Sequence, residues 1–84
     1  MKYTVLWKPT AEADLARIWT AATDRNAVAA AADRIDALLA RDPHSRGESR
    51  GGSIRIMVEL PLAVHFRVQD ADRMVYVLKV WRPR

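Results

Sequence analysis

The chain has 84 residues, no cysteine, half apolar content and 29% charged side chains, a balance that supports one folded domain with a thin core. It excludes wholesale disorder, disulfide stapling and thiol chemistry. Net charge is +4, and the excess is confined to the second half: residues 1–42 hold six basic and six acidic side chains, residues 43–84 eight and four. A basic half on a small domain suits a polyanion or an acidic protein as partner, or serves solubility alone.

"KYTVLW" alternates, placing Tyr3, Val5 and Trp7 on one face of a strand that Pro9 ends. Thr10 is positioned to cap a helix with Glu12 and Asp14 in its first turn, where acids suit the helix dipole. Leu15, Ile18, Trp19 and Ala22 then form an apolar stripe. "TDRN" interrupts it, and Thr23 or Asp24 can cap a second helix bearing Val28, Ala31, Ala32, Ile35, Leu38 and Leu39 on one face. The alanines favour helix and close approach, and Pro43 ends the element.

"HSRGESRGGSIRIM" passes from this helix to period-two sequence. It lacks the spacing of a phosphate-binding loop and follows a helix, so it reads as an exposed connector to which Arg46 and Arg50 add positive charge. In "SIRIMVEL" the alternation sets Ile54, Ile56, Val58 and Leu60 against Arg55, Met57 and Glu59. In "LAVHFRV" it sets Leu62, Val64, Phe66 and Val68 against Ala63, His65 and Arg67, with Pro61 in the turn. "QDAD" is the next turn. A three-residue loop at Asp70–Asp72 would bring Met74, Tyr76, Leu78 and Val80 into the core and leave Lys79 and Trp81 outside; a two-residue loop would invert the strand.

The expected fold is α+β, in the order β-α-α-β-β-β. An antiparallel sheet carries a helical hairpin on its apolar face and leaves the other face open. On that open face the pattern gathers Arg55, Glu59, His65, Arg67 and Lys79, within reach of one ligand at sheet spacing. Cations, a carboxylate and an imidazole suit RNA cleavage: a general base takes the 2′-hydroxyl proton, arginines hold the phosphate, and an acid protonates the leaving oxygen. The competing reading is a solvated face of scattered charges. His44 with Asp42 and Glu48 matches no common metal spacing, no nucleophile motif is present, and no cofactor is called for. Trp7 and Trp19 read as core, whereas Trp81 on the charged side could stack on a base.

No stretch nears the roughly 18 apolar residues of a membrane span, and the first apolar run is too short for a signal peptide. A cytoplasmic protein without membrane association is expected.

The whole chain resembles the RelE/ParE superfamily, toxins of type II toxin–antitoxin modules. The resemblance covers residues 3 to 82. It rests on "YTVLWKPTAEADLARIW", on "DRN-A-x-x-A" opening the second helix, on "DP" at its close, and on "VHFRVQDADRMVYVLKVWR" as the last hairpin. It implies one toxin domain over residues 1–84, a cognate acidic antitoxin covering the basic face, and a toxin–antitoxin hetero-oligomer. RelE-like members cleave messenger RNA on the ribosome; ParE-like members poison DNA gyrase without that catalytic set. By resemblance Arg55 falls where RelE-like toxins place a basic residue, and Arg82 near their late arginine. Their third-strand arginine is replaced by about Ala63, and the chain stops at Arg84, before their late tyrosine.

The combined expectation leans to a ribosome-associated endoribonuclease. Arg55, Arg67 and Arg82 would bind phosphate, His65 would act as base or acid, and Glu59 would orient it. Arg46, Arg50, Lys79 and Trp81 would extend the nucleic-acid surface. The alternatives are non-catalytic gyrase inhibition and a non-toxic relative that only pairs with its antitoxin.

Overall fold

The computed structural model describes residues 2–49 and 51–83. Strand β1 (Thr4–Trp7) leads into helices α1 (Pro9–Ala21) and α2 (Arg25–Arg41), then a short 3-10 turn (Pro43–Ser45). Strands β2 (Glu48–Ser49), β3 (Ile54–Glu59), β4 (Leu62–Gln69) and β5 (Met74–Trp81) follow. The sheet order is β1-β5-β4-β3-β2. The expected α+β plan holds with two refinements. β1 runs parallel to β5, because the helical hairpin carries the chain back before the meander begins, so the sheet is mixed. The connector also contributes β2, a two-residue edge strand on β3.

The helices cover one face. Val28, Ala31, Ile35 and Leu39 from α2 meet Met57, Leu62, Val64, Phe66, Val75, Val77 and Val80 from the sheet, all buried. Tyr3, Val5 and Trp7 join from β1 as expected. Helix α1 starts two residues earlier than the Thr10 cap implied, with Lys8 at the cap position and Pro9 in its first turn, a position that needs no amide donor. Trp19, expected in the core, is 45% exposed at the end of α1. The Arg25 guanidinium stacks on its ring at 4.6 Å and donates to the Trp19 and Thr20 carbonyl oxygens, satisfying the helix terminus.

Two strands carry a different face inward from the one their alternation suggested. The Leu60–Pro61 turn pairs Glu59 with Leu62, so Met57 pairs with Val64 and Arg55 with Phe66. Arg55, Met57 and Glu59 therefore share the helix-facing side, and Ile54, Ile56 and Val58 lie outside with Arg67, His65 and Ala63. A two-residue turn joins positions of opposite parity, so the two apolar sets could not both point inward. The next connection is four residues, Asp70–Arg73, with Arg73 left-handed at φ 54°, and Gln69 pairs with Met74. Val75 and Val77 are thus buried where Met74 and Tyr76 were expected. The pairing then slips: Phe66 faces Val77 but His65 faces Lys79, so Leu78 is an extra residue. This β-bulge returns Val80 to the core and leaves Lys79 and Trp81 outside.

Asp14 is the one charged residue in the described core, 5% exposed. β1 accompanies β5 only as far as Val77. Beyond it the Val80 amide donates to Asp14 Oδ2 at 3.1 Å, and Arg17 donates to Oδ1 at 2.7 Å. Asp14 thereby ties α1 to the part of β5 that β1 does not reach.

Candidate functional site

Strand register tiles the open face in three rows. Leu6, Tyr76, Arg67 and Ile54 form the first, Lys79, His65, Ile56 and Glu48 the second, and Trp81, Ala63 and Val58 the third. Tyr76, assigned to the interior by strict alternation, sits between two cations: Lys8 Nζ lies 5.2 Å and the Arg67 guanidinium carbon 5.4 Å from its ring centre. The His65 ring meets Trp81 edge-on, centroids 4.8 Å apart. Arg67 Nε is shielded from solvent and has no hydrogen-bond partner among the described residues. Nor does any carboxylate pair with Lys8, Arg67 or Lys79 among them. His65, Arg67, Lys79 and Trp81 thus do share this surface, a positive field laid over aromatic and aliphatic side chains.

The other named residues do not join them. Arg55 lies on the helix-facing side; its Nε donates to the Arg46 carbonyl oxygen at 2.9 Å and Nη2 to that of Gly47 at 3.1 Å. Its role there is to brace the connector against β3. Glu59 accepts from Arg34 Nε at 2.8 Å, and Arg34 also reaches the Leu60 carbonyl oxygen, so this carboxylate fixes α2 to the β3–β4 turn. Arg82 closes a two-pronged ion pair on Asp24 at 2.8 and 2.9 Å, linking the chain end to the α1–α2 corner. That bond holds the Asp24 carboxyl below its ordinary range and draws it away from capping α2. The expected single cluster of Arg55, Glu59, His65, Arg67 and Lys79 is therefore divided between two faces. Arg46 sits half-buried beside β3, its Nε shielded without a partner among the described residues, and Arg50 lies outside the described residues.

His44 does not face Glu48 and Asp42 in a common site. Its Nε2 lies 2.7 Å from Asp70 Oδ1, which also accepts from the Tyr3 hydroxyl at 2.6 Å. The Tyr3 and His44 contacts hold the Asp70 carboxyl low, and the same bond to Asp70 pushes the Tyr3 hydroxyl up. Asp42 instead accepts from the Ser45 hydroxyl. No group of three His, Asp or Glu side chains among the described residues is placed to hold a metal.

Residues 5–84 match the family model described as the ParE toxin of the type II toxin–antitoxin system parDE. The chain belongs to the ParE toxin family. Among solved structures it is similar to the RelBE2 toxin–antitoxin complex from Mycobacterium tuberculosis: TM-score 0.79, 21% identity, covering 99% of this chain and 93% of that one. It is also similar to the chromosomal ParDE system from P. aeruginosa: TM-score 0.72, 20% identity, covering 98% and 97%. A comparison with curated protein sequences finds no match. At these identities the structural likeness carries the fold, while the family match makes this ParE-family chain a type II toxin. No helix of its described residues is long and apolar enough to cross a membrane.

The signals for Tyr76 and Lys8 were present in the sequence but masked. Tyr76 alternates with Val75 and Val77, and only the length of the preceding loop decides which set is buried. Lys8 comes immediately before the helix-starting proline and carries no periodic signal.

Proposed function

We propose that this toxin arrests growth by binding DNA gyrase without catalysis, and that a cognate antitoxin neutralises it. The observation that carries the reading is the division of the candidate catalytic set. Arg55, Glu59 and Arg82 hold the protein's own carbonyl oxygens, arginine and aspartate. A cleavage centre needs base, acid and phosphate clamp within hydrogen-bond reach of one scissile bond. His65 retains cations nearby but has neither Arg55 nor Glu59 on its face. A face of cations over Tyr76, Trp81, Ile56 and Val58 suits a large macromolecular surface better than a single reacting phosphate. Membership of the ParE family supports the same target class.

The test is induced expression without antitoxin, followed by a gyrase supercoiling assay on purified toxin and mapping of transcript 5′ ends. The expected result is blocked supercoiling, intact transcripts and growth arrest that persists in His65→Ala. New 5′ ends within translated codons that vanish in His65→Ala would overturn the reading in favour of a ribonuclease centred on His65, Arg67 and Lys79. Absence of any growth effect would equally overturn it. Co-expression of a small acidic reading frame from the adjoining gene is expected to restore growth and co-purify as a hetero-oligomer.

A further inference from the structure

Helix α2 ends at Arg41, and beyond it the connector lies over the sheet: a Cβ added at Gly47 would stand 3.3 Å from the Phe66 ring. Between the connector and the strands is a hollow of about 220 Å³, at the corner where β3 begins and β4 ends. Arg55 and Val68 reach it from the strands, Ser49 from β2, Gly52 and Ser53 from the turn before β3, and His44 and Asp70 close its rim. It lies apart from the open face. Arg55 and Val68 belong to the helix-facing set, whereas His65, Arg67 and Lys79 line the other side.

The charge of Arg55 has no counter-ion in the fold. Arg17, Arg34 and Arg82 each end on a carboxylate. Arg55 is instead fixed by two neutral carbonyl oxygens, through Nε and Nη2, and neither bond uses Nη1. The half-buried guanidinium is thus held in place with its positive charge uncompensated and one nitrogen to spare. Beside it stand the Ser49 and Ser53 hydroxyls, neither of them engaged among the described residues. Asp70 is the single carboxylate in the lining, and its Oδ1 already meets the Tyr3 hydroxyl and His44 Nε2. Size narrows the ligand further. The hollow is smaller than the roughly 300 Å³ at which pockets begin to hold drug-sized molecules, so it suits one hydrated oxyanion.

We infer that this corner binds a single phosphate-sized dianion, free or at the end of a small monoester. Arg55 Nη1 and the Ser49 and Ser53 hydroxyls donate to its oxygens, a charge-assisted set that a planar guanidinium and flexible hydroxyls can supply together. The bound ion ties the connector to β3. Asp70 opposes it and limits its affinity. None of this depends on the toxin's target.

The test uses the full chain, isotopically labelled for NMR and titrated with inorganic phosphate and, separately, glycerol phosphate, at an ionic strength held constant with sodium chloride. The expected result is saturable shifts at the Ser49, Gly52 and Ser53 amides and the Arg55 side chain, with a Kd of about 1 mM or tighter. Equal affinities assign the site to the free ion; an affinity about tenfold higher for glycerol phosphate assigns it to a monoester. Ser53→Ala, in an exposed turn, should weaken binding by about threefold or more. Arg55→Gln should weaken it by about tenfold or more. Asp70→Asn keeps an acceptor for Tyr3 and His44 while removing the charge, and should tighten binding by about threefold. Because Arg55 also braces the connector, the Ser53 and Asp70 variants decide the matter if Arg55→Gln fails to fold. Three results would overturn the inference: shifts confined to Lys8, Arg67 and Lys79, shifts that do not saturate, or an affinity unchanged in both Ser53→Ala and Asp70→Asn.

Discussion

The two sides of the sheet treat their charged residues differently. On the helix-facing side, four charges end on a designated group: Asp14 on the Val80 amide, Glu59 on Arg34, Arg55 on two carbonyl oxygens, Arg82 on Asp24. On the open side, Lys8 and Arg67 rest on an aromatic face and His65 on an aromatic edge. At Asp14 the pairing satisfies a polar group where water is scarce, so removing Asp14 strands the Val80 amide, whereas the Arg34–Glu59 and Arg82–Asp24 pairs are partly exposed to water. The open side leaves cations available to a visitor, and removing one costs the fold little. An arginine's partner in the fold, rather than its presence in a basic stretch, separates a brace from a binding group.

Stability measurements can break that comparison. The largest effect should come from Asp14→Ala, which leaves the buried Val80 amide without an acceptor; a loss of about 3 kcal/mol is expected in urea unfolding. Gly47→Ala should follow. Gly47 has φ +72°, and an added Cβ would stand 2.3 Å from the Ile56 carbonyl oxygen, so β2 must move; about 2 kcal/mol is expected by the same measurement. Asp24→Ala, which frees Arg82 from a half-exposed pair screened by water, should lower stability less than either. Lys79→Ala on the open face should fall within about 0.5 kcal/mol while still altering partner binding. If Lys79→Ala destabilised as much as Asp14→Ala, the division between braces and binding groups would fail.

Acid titration sharpens the same contrast. The Asp14 carboxyl is held low by the Val80 amide and by Arg17, Asp24 by Arg82, and Asp70 by Tyr3 and His44. A carboxylate depressed on folding adds stability that is fully present above its unfolded value of about 3.9 and is lost as pH falls through the lower folded value. Thermal melts should therefore drop as pH is lowered below about 4. The decline should be shallower in Asp14→Asn, measured by melting temperature across a pH series.

Much of the architecture could be read from sequence because local signals agreed. Pro9 and Pro43 mark helix ends, the 3.6-residue spacing of Val28, Ala31, Ile35 and Leu39 marks the buried face of α2, and β4 alternates cleanly. The inward face of β3 was harder to read because Ile54, Ile56 and Val58 are apolar yet lie outside, alongside Arg67, His65 and Ala63. Only the parity of the Leu60–Pro61 turn decides it. In β5 a run of Val75, Tyr76, Val77 and Leu78 offers both faces apolar residues, and the bulge changes parity midway. The candidate site inherited both ambiguities: Arg67, His65, Lys79 and Trp81 were placed correctly because β4 and the end of β5 were, whereas Arg55 and Glu59 followed β3. The ion pairs of Glu59 and Arg82 join residues 25 and 58 positions apart, a distance over which periodicity carries no information.

The position of β5 bears on how the protein comes into being. The strand lies between β1 and β4, and β1, made long before it, pairs with no other described strand. A nascent chain therefore holds β1 unpaired until β5 has been made, and this closure joins segments distant in sequence. A message broken before Met74 yields a chain lacking the strand that joins β1 to β4.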